Sequence, residues 1–152
     1  MANDIISLIN SAPQELAENE VVNLGTVYRR FLITRKCPLN NLPVMSSNGT
    51  SVNLNKQGLY DVLFTAVVSA PAAGTVTLQL EVDGQPIAGA EASETITTPT
   101  TELRNLSINY VVLVDESIVL NIPTISSKTI SLRNVGDEAT IENIVTTVVK
   151  EV

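Results

Sequence analysis

The sequence predicts an all-β protein, a sandwich of two antiparallel sheets. Three observations carry that reading. The apolar residues are mostly Val, Ile and Leu with Thr interleaved, and aromatics are only 3% of the chain; β-branched side chains favour extended backbone. Several runs alternate apolar and polar residues with period two. Seven Gly and seven Pro punctuate the chain at short intervals, the rhythm of short strands joined by turns. The length, 152 residues, suits one domain. The expected division is an N-terminal arm or edge segment over 1–20 and a sandwich domain over 21–152.

Residues 1–20 hold an apolar patch, Ile5, Ile6, Leu8 and Ile9, that a lone copy must cover. Ser11-Ala12-Pro13 has the chemistry of a helix start, but the stretch is short enough for a loop or an edge strand. Val21–Ile33 and Thr50–Leu54 are strand-like. Leu59–Ser69 is the clearest strand, with Tyr60, Val62, Phe64, Ala66 and Val68 on one side. From Gly74 to Val82, Val76, Leu78, Leu80 and Val82 alternate with Thr77, Gln79 and Glu81, the pattern of a sheet with one wet face. Asp83-Gly84 is a turn signal. Gln85–Ala90 reads as a brief edge segment because Pro86 cannot donate to a ladder. Glu91–Thr98 alternates weakly. Leu103–Val114 follows, with Leu106, Ile108, Tyr110, Val112 and Val114 on one side. Asp115-Glu116 reads as a turn, Ser117–Ile122 as a strand ended by Pro123, Thr129–Leu132 as a short strand, and Ala139–Val149 as the last. The count is roughly nine or ten strands, with no long helix.

Three of these strands break the half-buried pattern. Leu63 and Val67 lie opposite the main face of Leu59–Ser69. Val111 and Leu113 do so in Leu103–Val114. In the last strand, counting by twos puts Ile141, Val145 and Val149 on one face and Ile144 and Val148 on the other. An outer face in water should be polar, as it is in the Gly74–Val82 strand. Contiguous apolar surface marks interfaces, so Leu63, Val67, Val111, Leu113, Ile141, Val145 and Val149 are the expected self-association residues.

Composition narrows the chemistry. The net charge is −7 and the pI near 4.5, the opposite of a nucleic-acid footprint and unsuited to an anionic membrane. No apolar run approaches the ~20 residues of a membrane helix. The N-terminus carries Asp4 where a signal peptide carries bases, so export by a cleaved signal is not expected. His and Trp are absent, which removes the commonest acid–base, triad and zinc chemistry. The single Cys37 forms no internal disulfide and reads as a quiet thiol.

Asp115-Glu116 and Asp137-Glu138 are acid pairs at expected turns and lack the spacing of a Ca²⁺ loop. Glycoside hydrolysis needs two carboxyls set in a cleft, and every acid here has a turn or surface explanation. Asp83-Gly84-Gln85 has no phosphate-loop pattern. The Asn105-Leu106-Ser107 sequon falls within a strand of a chain with no expected export. No catalytic residue, metal or cofactor is expected, and the protein is read as a non-enzyme. Arg29, Arg30, Arg35 and Lys36 are four of the nine bases. They read as a solubilising edge or as a docking patch for an acidic partner.

Gly58-Leu59-Tyr60-Asp61-Val62, preceded by Val52-Asn53-Leu54, resembles the Gly-aromatic-Tyr strand of the tumour-necrosis-factor and complement globular-head superfamily. Gly74–Gly84 through Pro86–Ala90, Asn105–Ile108 with Val111–Val114, and Val22–Arg30 are similar to strands of small phage-encoded members from Firmicutes. The resemblance spans about residues 12–152. It implies a ten-strand jelly roll and a homotrimer packed through the Leu59, Leu103 and Ala139 strands. Leu59 stands where many relatives have an aromatic, and no collagen-like stalk precedes the domain. The implied function is a virion structural protein, a capsid decoration or head-fibre protein. It would be assembled in the host cytoplasm, sit on the capsid surface and have the major capsid protein as partner, with Ile5, Ile6, Leu8 and Ile9 as a capsid anchor. The alternatives are a carbohydrate- or receptor-binding tip domain and a bacterial surface or spore-coat protein of the same fold.

Overall fold

The structure is a computed structural model that describes residues 3–31, 42–119, 122–125 and 127–151. In chain order the strands are β1 (Asp4–Asn10), β2 (Gln14–Leu16), β3 (Thr26–Phe31), β4 (Met45–Ser47), β5 (Val52–Leu54), β6 (Gly58–Ser69) and β7 (Gly74–Val82). They continue as β8 (Gln85–Ile96), β9 (Arg104–Val114), β10 (Glu116–Val119), β11 (Ile122–Ile125), β12 (Lys128–Asn134) and β13 (Ala139–Lys150). No helix forms among the described residues.

Two antiparallel sheets make the sandwich. The first has the order β3-β1-β13-β6-β9, with β2 also on β13; the second runs β4-β5-β12-β7-β8. The pair β10-β11 stands apart as a hairpin. The first long strand lies beside the last: Asp4–Asn10 pairs with Lys150–Ile144.

The core lies between the sheets. β1 contributes Ile6 and Leu8, β6 contributes Tyr60, Val62 and Phe64, and β13 contributes Ile144 and Val148. Facing them are Val52, Leu54, Val76, Leu78, Leu80, Ile130 and Leu132 of the second sheet. Full burial of such side chains contributes about 1.5–3 kcal/mol each. The Tyr60 hydroxyl in this layer is satisfied, because it donates to the Lys56 carbonyl at 2.5 Å.

Several expectations change. Ser11–Pro13 is a connection and not a helix start. After it, Gln14–Leu16 forms an edge strand against Ala139–Ile141. Asp4–Asn10 is an interior strand between β13 and β3. Residues 22–25 form no strand, yet Val22 and Leu24 are buried and their N–H groups donate to Leu132 and Gly49 carbonyls. Gln85–Ile96 is one continuous strand, not two. Pro123 lies within β11 instead of ending the strand before it. Pairing and not propensity decides these cases, since a short segment becomes a strand wherever a neighbour offers an edge.

The outer face of the second sheet is polar, with Thr77, Gln79, Glu81, Ser131 and Arg133 on it. Glu81 is buried there and pairs with Arg133, whose Nε lies 2.6 Å from Glu81 Oε1. Arg133 also donates to the Asn19 carbonyl. The segment after β2 runs beside β12, with backbone bonds between Asn19 or Glu20 and Asn134 and between Val22 and Leu132, and Asn134 pins it with Nδ2 bonds to the Leu16 and Ala17 carbonyls.

Candidate interaction face

The outer face of the first sheet is more apolar than that of the second. Its side chains follow from the register. One row across the strands reads Phe31, Ile5, Val149, Asp61, Val111. The next reads Arg29, Ser7, Thr147, Leu63, Asn109, and the one after it Thr26, Ile9, Val145, Thr65, Ser107. Val67 lies between Asn143 and Asn105. At the other end Leu59 pairs with Leu113, and the Glu151 N–H donates to the Leu59 carbonyl.

The face is therefore graded. The end with Leu59, Leu113, Val111, Phe31, Ile5 and Val149 is apolar, and the end with Thr65, Ser107, Asn105 and Asn143 is polar. Val111 is 53% exposed, Leu113 48% and Leu63 38%. Three large aliphatics this open on adjacent strands make a patch and not a scatter.

Of the residues expected on this face, Leu63, Val67, Val111, Leu113, Val145 and Val149 are brought together on it. Ile141 is not: its side chain is 0% exposed and points into the core. The register of β13 against β6 shifts between Ile141 and Asn143. That bulge at Glu142 adds a residue and reverses the alternation. Counting by twos across it assigns Ile141 to the wrong side.

The N-terminal patch divides. Ile6 and Leu8 are buried in the core and unavailable as a capsid anchor, whereas Ile5 and Ile9 lie on the outer face. Strand alternation makes the split, because an interior strand sends alternate residues to opposite sides. The basic cluster divides too. Arg29 is on the outer face, while Arg30 donates to the Met45 carbonyl at 3.1 Å. Arg35, Lys36 and Cys37 lie outside the described residues.

Leu59, Phe31 and Asp61 belong to this face and are not among the residues expected on it. Leu59 and Asp61 share the parity of Leu63, which was the available signal. Phe31 is placed only by its register with Ile5.

Among the described residues no group of three or more metal-ligating side chains converges. Asp137 accepts the Thr75 N–H at 2.8 Å and so holds a turn. Glu102 has its carboxyl lowered to about 2, first by the Thr98 N–H, then by Thr97 and by Arg104; it organises the loop between β8 and β9. A cleft beside β9 is lined by Val82, Ile87, Tyr110, Val111, Val112, Leu113, Asp115 and Lys128, with no nucleophile–base pair among them.

The fold has well-defined counterparts. The Eiger TNF structure from S. frugiperda superposes with a TM-score of 0.65 at 9% identity, covering 99% of this chain and 92% of that one. Murine APRIL gives a TM-score of 0.61 at 10% identity, covering 99% and 100%. The globular domain of zebrafish complement 1qA gives 0.57 at 9% identity, covering 95% and 94%. No family model matches the sequence, and no curated protein matches it. The architecture is thus an all-β jelly roll of the tumour-necrosis-factor-like kind. At such low identity the likeness concerns the fold alone.

Proposed function

We propose that this chain is a non-catalytic structural unit that assembles as a homotrimer through the outer face of its first sheet. The observation that carries the reading is the band of Leu59, Leu63, Val111 and Leu113, large aliphatics left open on two neighbouring strands. The opposite face of the sandwich, by contrast, is polar, with Thr77, Glu81, Ser93 and Arg133 on it. Covering the band removes apolar surface from water, at about 25 cal/mol per Å². The tumour-necrosis-factor-like fold supports three as the number of copies.

The finer reading is a virion structural protein, a decoration or head-fibre component on a phage capsid, with the major capsid protein as its second partner. Its support is the likeness of the Val22–Arg30 and Gly74–Ala90 motifs to small phage-encoded jelly rolls.

Light scattering on the purified chain tests the first part. The expected mass is three times 16.3 kDa, and Leu63→Glu or Val145→Glu is expected to split the assembly, because a buried unpaired charge is costly. A single-copy mass at all concentrations would refute it. Co-sedimentation with capsids lacking the protein tests the second part, and absence of saturable binding removes it while leaving the trimer standing.

A further inference from the structure

Asp61 sits within the apolar end of the outer face. Its row neighbours are Val149 and Val111, and Leu59 and Leu63 flank it on its own strand. Its Oδ1 is buried and has no hydrogen-bond partner. A buried charged oxygen without a donor is among the costlier defects a fold can carry. Oδ2 of the same carboxylate is not buried in this way and is the oxygen that a second copy can reach.

Among the described residues this face carries one base, Arg29, on the edge strand β3. Its side chain makes no hydrogen bond or ion pair with any described residue. Other bases are engaged elsewhere: Arg104 with Glu102, Arg133 with Glu81, and Arg30 with the Met45 carbonyl. Within one copy Arg29 and Asp61 do not meet. They stand on β3 and β6, three strand intervals apart in the order β3-β1-β13-β6, about 14 Å at the usual spacing.

We infer that the Arg29 guanidinium of one copy donates to the Asp61 carboxylate of the next, and that this ion pair orients the assembly; the inference rests on the self-association proposed above. The fork of a guanidinium matches a carboxylate and tolerates loss of water better than an ammonium. The arrangement also suits closure. Each copy carries the base at one edge of the sheet and the acid beside the opposite edge strand. A head-to-tail ring therefore pairs every Asp61 with one Arg29 and leaves neither over. The occupant of the face is a second copy of this chain.

The test is a dilution series of the full chain followed by light scattering or sedimentation. Arg29→Asp and Asp61→Arg are each expected to weaken assembly about tenfold or more, and the double swap to restore it to within a few-fold of the wild type. Added salt is expected to weaken the wild-type assembly more than that of the Arg29→Gln, Asp61→Asn double variant. Should Asp61→Arg not fold, Asp61→Asn, Arg29→Gln and their double give the coupling; equal losses in all three support the pair. An unchanged dilution midpoint in Arg29→Asp, or additive losses in the two neutral variants, overturns it. If Leu63→Glu splits a trimer that Arg29→Asp does not, the face stands and only the pair falls. A wild type that is monomeric throughout removes both readings, and the face then belongs to a different protein.

Discussion

Ile141 and Val145 stand four residues apart on one strand and point to opposite sides of their sheet. In an unbroken strand they would share a side. The shift at Glu142 separates them: Ile141 joins Leu16, Val68 and Ala139 in the buried layer, and Val145 stays on the outer face between Ile9 and Thr65. The two positions should therefore answer differently to truncation. Ile141→Ala is expected to cost about 2–5 kcal/mol of folding stability. Val145→Ala should cost under about 1 kcal/mol in the single copy and act on the concentration at which the assembly dissociates. Denaturant melts at low and high protein concentration separate the two effects. Equal losses at both positions would mean that the strand does not bulge.

Thr146 Oγ1 is buried without a hydrogen-bond partner, on an inward position between Leu8 and Phe64. Replacing the hydroxyl by a methyl of similar shape removes an unsatisfied group and keeps the packing. Thr146→Val is expected to stabilise the protein by about 1 kcal/mol. A lower melting temperature would show that the hydroxyl has a partner after all.

Gly25 has φ +87° and passes so close to β1 that an added Cβ would lie 2.1 Å from the Ile9 carbonyl oxygen. Gly84 has φ +77° with open space around it. Gly84→Ala should cost only the left-handed backbone term, about 1–2 kcal/mol. Gly25→Ala adds a backbone clash and should cost more. Thermal melts of both variants compare strain with strain plus contact, and a Gly25→Ala loss no larger than that of Gly84→Ala would contradict the close approach.

Glu102 ties the loop between β8 and β9 by accepting the Thr97 and Thr98 N–H groups and the Arg104 guanidinium. Its carboxyl is lowered from 4.5 to about 2 in the fold. A carboxyl that is more acidic folded than unfolded contributes stability above its unfolded value and loses it as pH falls through the folded one. The loop should accordingly hold at pH 5 and loosen between about pH 4.5 and 2. Glu102→Gln should flatten that part of the acid profile. Hydrogen exchange at Thr97 and Thr98 across this range reads it, and identical profiles for the two proteins would count against the capping role.

These cases show what could be read before the fold was known. The strands of Tyr60–Val68 and Val76–Val82 were plain because their alternation is long and unbroken, and the outward aliphatics Leu63, Val111 and Leu113 followed from the same parity. Partnership was not legible. Ile5–Ile9 looks like a loose apolar patch until β13 lies beside it, when Ile6 and Leu8 become core. The bulge at Glu142 leaves no local mark, because Glu-Asn occurs as readily in a regular strand. Asp61 shares its strand face with Leu63 and Thr65, and only the register with Val149 and Val111 shows how apolar its surroundings are. Alternation gives the sides of a strand; it does not give its neighbours.

The pairing of Asp4 with Lys150 has a practical consequence. The two ends of the described chain leave from the same pole of the sandwich, side by side. A short linker from one to the other would close the backbone into a circle with little distortion, and the Asp83-Gly84 turn, open to solvent, offers a place to cut it again. By the same geometry, cargo fused at either end emerges at one pole, so the molecule is a mount with a single direction of display.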